Sequence, residues 1–136
     1  MAAPTVVLLA AGEGTRMRSS LPKVLHPICG RRMILWPLLA AREAGAGRLV
    51  VVDNPKRRLD GALPEGVEIA IQQQPRGTGD AVAAAAGHIE RGAPVVIVNG
   101  DMPLITGAAI AGLVEAHTSA GAAATLASME LEDPTG

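Results

Sequence analysis

LLAAGEGTRMRSSLPKVL, residues 8–25, carries an apolar run straight into a glycine-rich basic loop. The run that leads into it, Thr5 to Ala10 (TVVLLA), is β-branched and aliphatic, which suits a strand buried on both faces. The loop then supplies Gly12 and Gly14, with cations at Arg16, Arg18 and Lys23. Glycines let backbone N–H groups approach a ligand closely, and the cations neutralise it, so the pattern suits a polyphosphate. A glycine pair after a strand is also, in many proteins, only a tight turn. No GK[ST] closes this loop, so it is not a P-loop. Met17 stands where a dinucleotide fingerprint needs its third glycine.

Further strand candidates recur at Leu49 to Asp53 (LVVVD), Val67 to Ile71 (VEIAI), Pro94 to Asn99 (PVVIVN) and Ala123 to Glu130. Helix-compatible stretches lie between them. Met33 to Ala44 is one, with Pro37 tolerable in a first turn. Gly79 to Arg91 is a second, and Thr106 to Ser119 a third, with Thr106 as its N-cap. This alternation predicts an α/β fold, a mostly parallel sheet with helices on both faces. Such sheets bind ligands beyond the carboxyl ends of their strands. Asp133 to Gly136 are turn residues that read as the entry to a further element, so the sheet is expected to be incomplete.

Composition narrows the functions open to such a fold. A length of 136 residues fits one domain, and 49% apolar residues suffice for a core. Trp36 is the sole aromatic, so stacking platforms for single-stranded nucleic acid are lacking, and no nucleic-acid partner is expected. The net charge is −1, yet residues 13–32 hold five cations against one acid. That local balance of +4 leaves −5 for the remainder and concentrates positive charge around the glycine loop. The single Cys29 excludes an internal disulfide framework and a cysteine zinc site, and reads as a small packed residue. No apolar run spans a bilayer and Met1 to Thr5 lacks a basic signal-peptide start, so a cytoplasmic protein without a membrane partner is expected.

Two more strand ends carry unusual loops. QQQPRGTGDA (Gln72 to Ala81) follows Val67 to Ile71, and NGDMPLI (Asn99 to Ile105) follows Pro94 to Asn99. In a parallel sheet all three loops leave from one edge. Backbone N–H groups of the first loop, Gly12 and Gly14 included, would wrap phosphates, and Arg16 with Lys23 would stabilise charge on a transferring phosphate. Gln72 and Gln74 offer amides suited to a base edge. Gly77 and Thr78 stand just before a helix, whose backbone amides read polar groups. Asp101 supplies one carboxylate at a strand end, as Mg²⁺ sites commonly do. Each loop also has a plain reading: Asp101 as a solvated turn aspartate, and Gln72 to Gln74 as a polar strand end. His26, His88 and His117 are scattered and read as structural or exposed.

At this point the residues resemble a known family. LAAGEGTRMRSSLPKVLHPICG (Leu9 to Gly30) is similar to the L-A-A-G-x-G-T-R-M…P-K signature of sugar-nucleotide pyrophosphorylases. The KVLHP continuation resembles the N-terminal uridylyltransferase domain of the bifunctional GlmU family. QQQPRGTGDA, NGDMPLI and LEDPTG (Leu131 to Gly136) resemble further segments of that family, in order and at compatible spacing.

The resemblance implies a Rossmann-like, nucleotide-diphospho-sugar transferase fold. It implies transfer of a uridylyl group from UTP to N-acetylglucosamine 1-phosphate with release of pyrophosphate, in the synthesis of cell-wall precursors. Leu9, Ala10, Ala11 and Gly12 would lie against the uridine and phosphates. Arg16 and Lys23 would be the charge-neutralising cations. Gln72 would read uracil, with Gly77 and Thr78 also in contact. Asn99, Gly100 and Asp101 would form the third loop, with Asp101 on Mg²⁺. The family's domain continues well beyond 136 residues and there supplies sugar contacts and a second metal ligand, so this chain is expected to be its nucleotide-binding part. The acetyltransferase β-helix domain is expected to be absent, and a homo-oligomer is expected only of a full-length protein. Departures from the family pattern fall at Arg32, at Asp53 to Pro55 and at Asp80. Another nucleotidyltransferase of the same fold, or a non-catalytic nucleotide-binding remnant, are the competing readings.

Overall fold

The computed structural model describes residues 2–133 together with Thr135. Strand β1 (Thr5–Leu9) leads through the glycine loop, with 3-10 turns at Thr15–Met17 and Lys23–Leu25, into a short hairpin of β2 (Pro27–Ile28) and β3 (Arg31–Arg32). Helix α1 (Leu35–Glu43), strands β4 (Arg48–Asp53) and β5 (Val67–Ile71), helix α2 (Thr78–Ala84), strand β6 (Val95–Asn99) and helix α3 (Gly107–Ala120) follow.

β1, β4, β5 and β6 form one parallel sheet in the order β5-β4-β1-β6. Leu9 lies opposite both Val52 and Asn99, and Asp53 lies opposite Ile71. The strands therefore end nearly level, and their following loops leave from one edge. After β1 the sheet grows to one side through β4 and β5, then returns to the other side with β6. The gap between the loops of β1 and β6 is thus the point where strand order reverses, the place where open α/β sheets bind ligands.

Alternation along the strands divides the core in two. Val6, Leu8, Leu49, Val51, Val96 and Val98 face α1 and α3, where Ile34, Leu38, Ala41 and Ile110 meet them. Val7, Val50, Val52 and Ala70 face α2, whose Ala81 packs there together with Ala85. Small alanines let α2 lie close over β1 and β4. The expected α/β class, with helices on both faces, is what forms.

β6 is covered on one face only. Val95 and Ile97 share the face of Thr5 and Val7, yet they are 38% and 49% exposed because among the described residues no helix reaches over them. β6 is also an edge strand with an unpaired side.

Three expectations are corrected. Ala123 to Glu130 pairs with nothing and is not a strand. α3 packs on the α1 face. A strand needs a neighbour to satisfy its backbone groups, and among the described residues none lies beside Ala123 to Glu130. The helix expected over Gly79 to Arg91 stops at Ala84 and tightens into a 3-10 turn at Ala86–His88. Gly87 falls there, and glycine costs about 1 kcal/mol against alanine inside a helix. Cys29 is exposed rather than packed. It sits with Gly30 at the tip of the β2–β3 hairpin, both at positive φ (50° and 76°), as a two-residue turn of that hand demands.

α1 starts at Leu35, which puts Pro37 in its first turn. Thr106 caps α3 as expected, its Oγ1 accepting the Ala109 N–H at 3.1 Å. The turn expected over Asp133 to Gly136 includes Pro134 and Gly136, which lie outside the described residues.

Candidate functional site

A cavity of about 690 Å³ opens at the carboxyl edge of the sheet. The first loop lines it with Leu9, Ala10, Ala11, Gly12, Gly14 and Arg16, and the turn beyond adds Lys23. The loop after β5 contributes Gln72, Gly77 and Thr78, and the end of β6 contributes Asn99 and Asp101. Residues far apart in sequence meet because their strands are neighbours in register. Thr15, Val24, Pro75 and Ala81 also line the cavity without having been singled out from sequence, as does Met17, which the sequence marks only as a missing glycine. A neighbour of a signature residue shares its wall, and that was the signal available for them.

Gly100 is placed behind this wall. It is buried, and its N–H donates to the Leu9 carbonyl at 2.8 Å. A Cβ there would lie 3.0 Å from that carbonyl oxygen. Glycine at this position lets the end of β6 press against the end of β1, which brings Asn99 and Asp101 to the cavity.

The first loop is held open by specific ties. Gly14 has φ 60°, and a Cβ on it would stand 2.7 Å from the Lys23 Cβ. Its missing side chain therefore lets the Lys23 stem cross the loop. Buried Val24 and Leu25 anchor the turn that carries Lys23. From the other side, Asn54 Nδ2 donates to the Ala11 carbonyl at 3.1 Å, and Lys56 Nζ lies 2.6 Å from Glu13 Oε1. The hydrogen bond and charge of Lys56 hold the Glu13 carboxyl below the ordinary carboxylate range.

Asn54 is itself set by Asp53, which is buried at the end of β4. Asp53 Oδ1 accepts the Asn54 N–H at 2.8 Å, and Oδ2 accepts the Leu59 N–H at 3.1 Å. Asp53 to Pro55, a departure from the family pattern in sequence, is a carboxylate-capped turn that supports the first loop.

The charges sort by loop. Lys23 Nζ lies 2.8 Å from Asp101 Oδ2, both side chains being 41% exposed. Arg16 has no acidic partner among the described residues and stands exposed on the cavity wall. Gln72, by contrast, is buried, and its Nε2 donates to the Gly77 carbonyl at 3.2 Å and to Asp80 Oδ2 at 2.9 Å. None of the three histidines lines the cavity. His88 Nδ1 is 2.7 Å from Glu68 Oε2, and His117 Nδ1 is 3.0 Å from Thr125 Oγ1.

Asp101 is the acid on the cavity wall, and among the described residues no three His, Cys, Asp or Glu side chains cluster as a metal cage. An exposed single carboxylate beside a phosphate-type loop suits a hard cation that keeps most of its ligands as water and phosphate oxygens. Among the described residues no helix is long and apolar enough to cross a membrane.

Comparison with known proteins follows the same lines. The chain is 44% identical to the bifunctional protein GlmU of Trichlorobacter lovleyi over 142 residues, all of this chain and 30% of that one. It is 43% identical to GlmU of Geobacter metallireducens, over 96% of this chain and 28% of that protein. The chain thus spans under a third of the length of these relatives. Among solved structures, Rv0371c of Mycobacterium tuberculosis H37Rv superposes with a TM-score of 0.73 at 24% identity, covering 88% of this chain and 63% of that one. Rv0371c is also known in complex with manganese. A UDP-glucose pyrophosphorylase from Acinetobacter baumanii gives a TM-score of 0.73 at 22% identity, over 89% and 54% of the two chains. These two likenesses are of fold. The model of the MobA-like NTP transferase domain matches residues 6–134, nearly the whole chain, and so this chain belongs to that family.

Proposed function

We propose that the chain is the nucleotide-binding part of an N-acetylglucosamine-1-phosphate uridylyltransferase that joins UTP and the sugar phosphate and releases pyrophosphate. The convergence of the three loops on one cavity at the strand-order reversal carries this reading. Identity of 43–44% to the matched part of two GlmU proteins supports the choice of nucleotide and acceptor.

In this reading the uridine lies against Leu9 to Gly12, with its base edge at Gln72, Gly77 and Thr78. The triphosphate follows the first loop, where the backbone around Gly12 and Gly14 faces it. An oxygen of the acceptor phosphate attacks the α-phosphate, and pyrophosphate leaves. The nucleophile is already an anion, so no side chain has to activate it. Arg16 and Lys23 stabilise the charge that builds on the phosphate oxygens, and the loops fix the reacting groups in line. Asp101, with Asn99 beside it, would hold a divalent cation, Mg²⁺ in our reading. Bound there, such an ion neutralises phosphate charge as a Lewis acid. We place the reaction in the cytoplasm.

The test is incubation of the purified chain with UTP, Mg²⁺ and N-acetylglucosamine 1-phosphate, following pyrophosphate release. Turnover with this acceptor is the expected result. Turnover only with a different sugar or alcohol phosphate moves the chain to another nucleotidyltransferase. UTP binding without turnover makes it a binding part that needs further sequence for chemistry, and absence of UTP binding overturns the reading.

A further inference from the structure

We infer that Asp80 is a positioning residue that sets which end of the Gln72 amide faces the cavity, and so sets the preference for a uracil base over cytosine. The inference rests on the nucleotide reading above and adds a residue to it.

Hydrogen-bond valence decides how the Gln72 amide is turned. A carboxylate offers only acceptors, and so does a backbone carbonyl. Two of these surround one end of the Gln72 side chain, Asp80 Oδ2 at 2.9 Å and the Gly77 carbonyl at 3.2 Å. That end is therefore the NH₂, and both of its N–H groups are engaged. Among the described residues no donor reaches Oε1, and Oε1 is not among the buried unpartnered side-chain atoms. Gln72 is only 7% exposed and lines the cavity, so it can neither swing out nor rotate without leaving a buried donor unpaired. What remains for a ligand is a single acceptor.

An acceptor fixed at a base edge selects for a donor. The ring imide of uracil presents N–H at its centre. Cytosine presents a bare ring nitrogen there, and lone pair would meet lone pair. Asp80 does not line the main cavity; it lines the smaller one on the other side of Gln72. It thus acts through Gln72 and not on the ligand. As an acid in the first turn of α2 it would also favour the helix electrostatically. That plainer role affects stability and leaves base choice alone.

The experiment compares UTP and CTP binding by calorimetry in the parent, Asp80→Asn and Asp80→Ala, with thermal unfolding of each. An asparagine there can turn a donor toward Gln72, and alanine removes the nearer of its two acceptors, leaving only the Gly77 carbonyl. The expected result is a fall in the UTP-to-CTP affinity ratio by about tenfold in both variants, the scale of one hydrogen bond. A second measurement uses the parent alone. Its Gln72 side-chain amide protons, tied to two acceptors, should exchange with solvent more slowly than those of exposed Gln73. A parent that prefers UTP, with both variants keeping its ratio, overturns the role of Asp80 and leaves the proposed function standing. Gln72 amide protons that exchange as fast as those of Gln73 overturn it as well. A parent that binds neither nucleotide overturns the proposed function itself.

Discussion

Lys23 and Asp101 stand 78 positions apart in the chain and meet at 2.8 Å across the gap between the β1 and β6 loops. The pair puts opposite charges on the cavity wall, and in the proposed function each would serve a different part of a metal–nucleotide complex. Phosphate competes for the lysine, and a cation competes for the carboxylate. An exposed ion pair of this kind is worth only about 0.2–1 kcal/mol, so ligands can separate it.

Lys23→Ala should therefore have two opposite effects. UTP affinity falls for want of a cation. Affinity for Mn²⁺ alone rises by up to about fivefold, because Asp101 no longer has a competitor. Calorimetric titration of metal without nucleotide checks this. Superimposable metal titrations of the variant and the parent would remove Asp101 from the metal site.

Arg16 has no acidic partner among the described residues, so its charge is available to a ligand. If the chain turns over, Arg16→Ala should slow transfer by on the order of 10²-fold, through loss of charge stabilisation in the transition state. Steady-state kinetics should put much of that loss in kcat. An unchanged kcat/KM would exclude Arg16 from the mechanism.

Gly14→Ala tests how the first loop is built. The new Cβ would stand 2.7 Å from the Lys23 Cβ, at a φ of 60° that alanine disfavours. Lys23 and its turn must shift, so UTP affinity should drop although no charge is removed. Comparison with Lys23→Ala on the same binding assay checks the route. If Gly14→Ala binds UTP as the parent does, the loop has more slack than its contacts imply.

Asp53→Ala is the stability counterpart. It strips the acceptors from the N–H groups of Asn54 and Leu59 beneath the first loop. Leaving such donors unpaired costs about 1–3 kcal/mol each, so a total loss of roughly 2–6 kcal/mol is expected in urea denaturation. Asp53→Asn keeps one acceptor and should lose less. Equal stability of all three proteins would show that the turn holds itself.

Much of this was open to a reading of the chain alone, for local reasons. β-branched and aliphatic runs mark all four strands, and β1 and β4 read as continuous apolar runs because a strand buried on both faces needs no polar alternation. Thr106 announces α3 because a cap acts on residues three positions away. Gly12, Gly14, Arg16 and Lys23, picked out by backbone access and charge, which are properties of single residues, all line the cavity.

Contacts between distant residues were decided by the tertiary structure. Register sets Leu9 beside Asn99, and that register leaves a Cβ at residue 100 only 3.0 Å from the Leu9 carbonyl oxygen. Ala123 to Glu130 finds no strand to pair with among the described residues, although its pattern alone reads as strand. Position 29 is exposed because a two-residue hairpin put it at a tip. The Lys23–Asp101 pair and the amide of Gln72 held by Asp80 belong to this second class. The glycine-rich basic loop by itself specified what kind of ligand charge it suits. Which groups face that ligand follows from how four parallel strands are ordered, since strand order, and not distance along the chain, determines which loops meet.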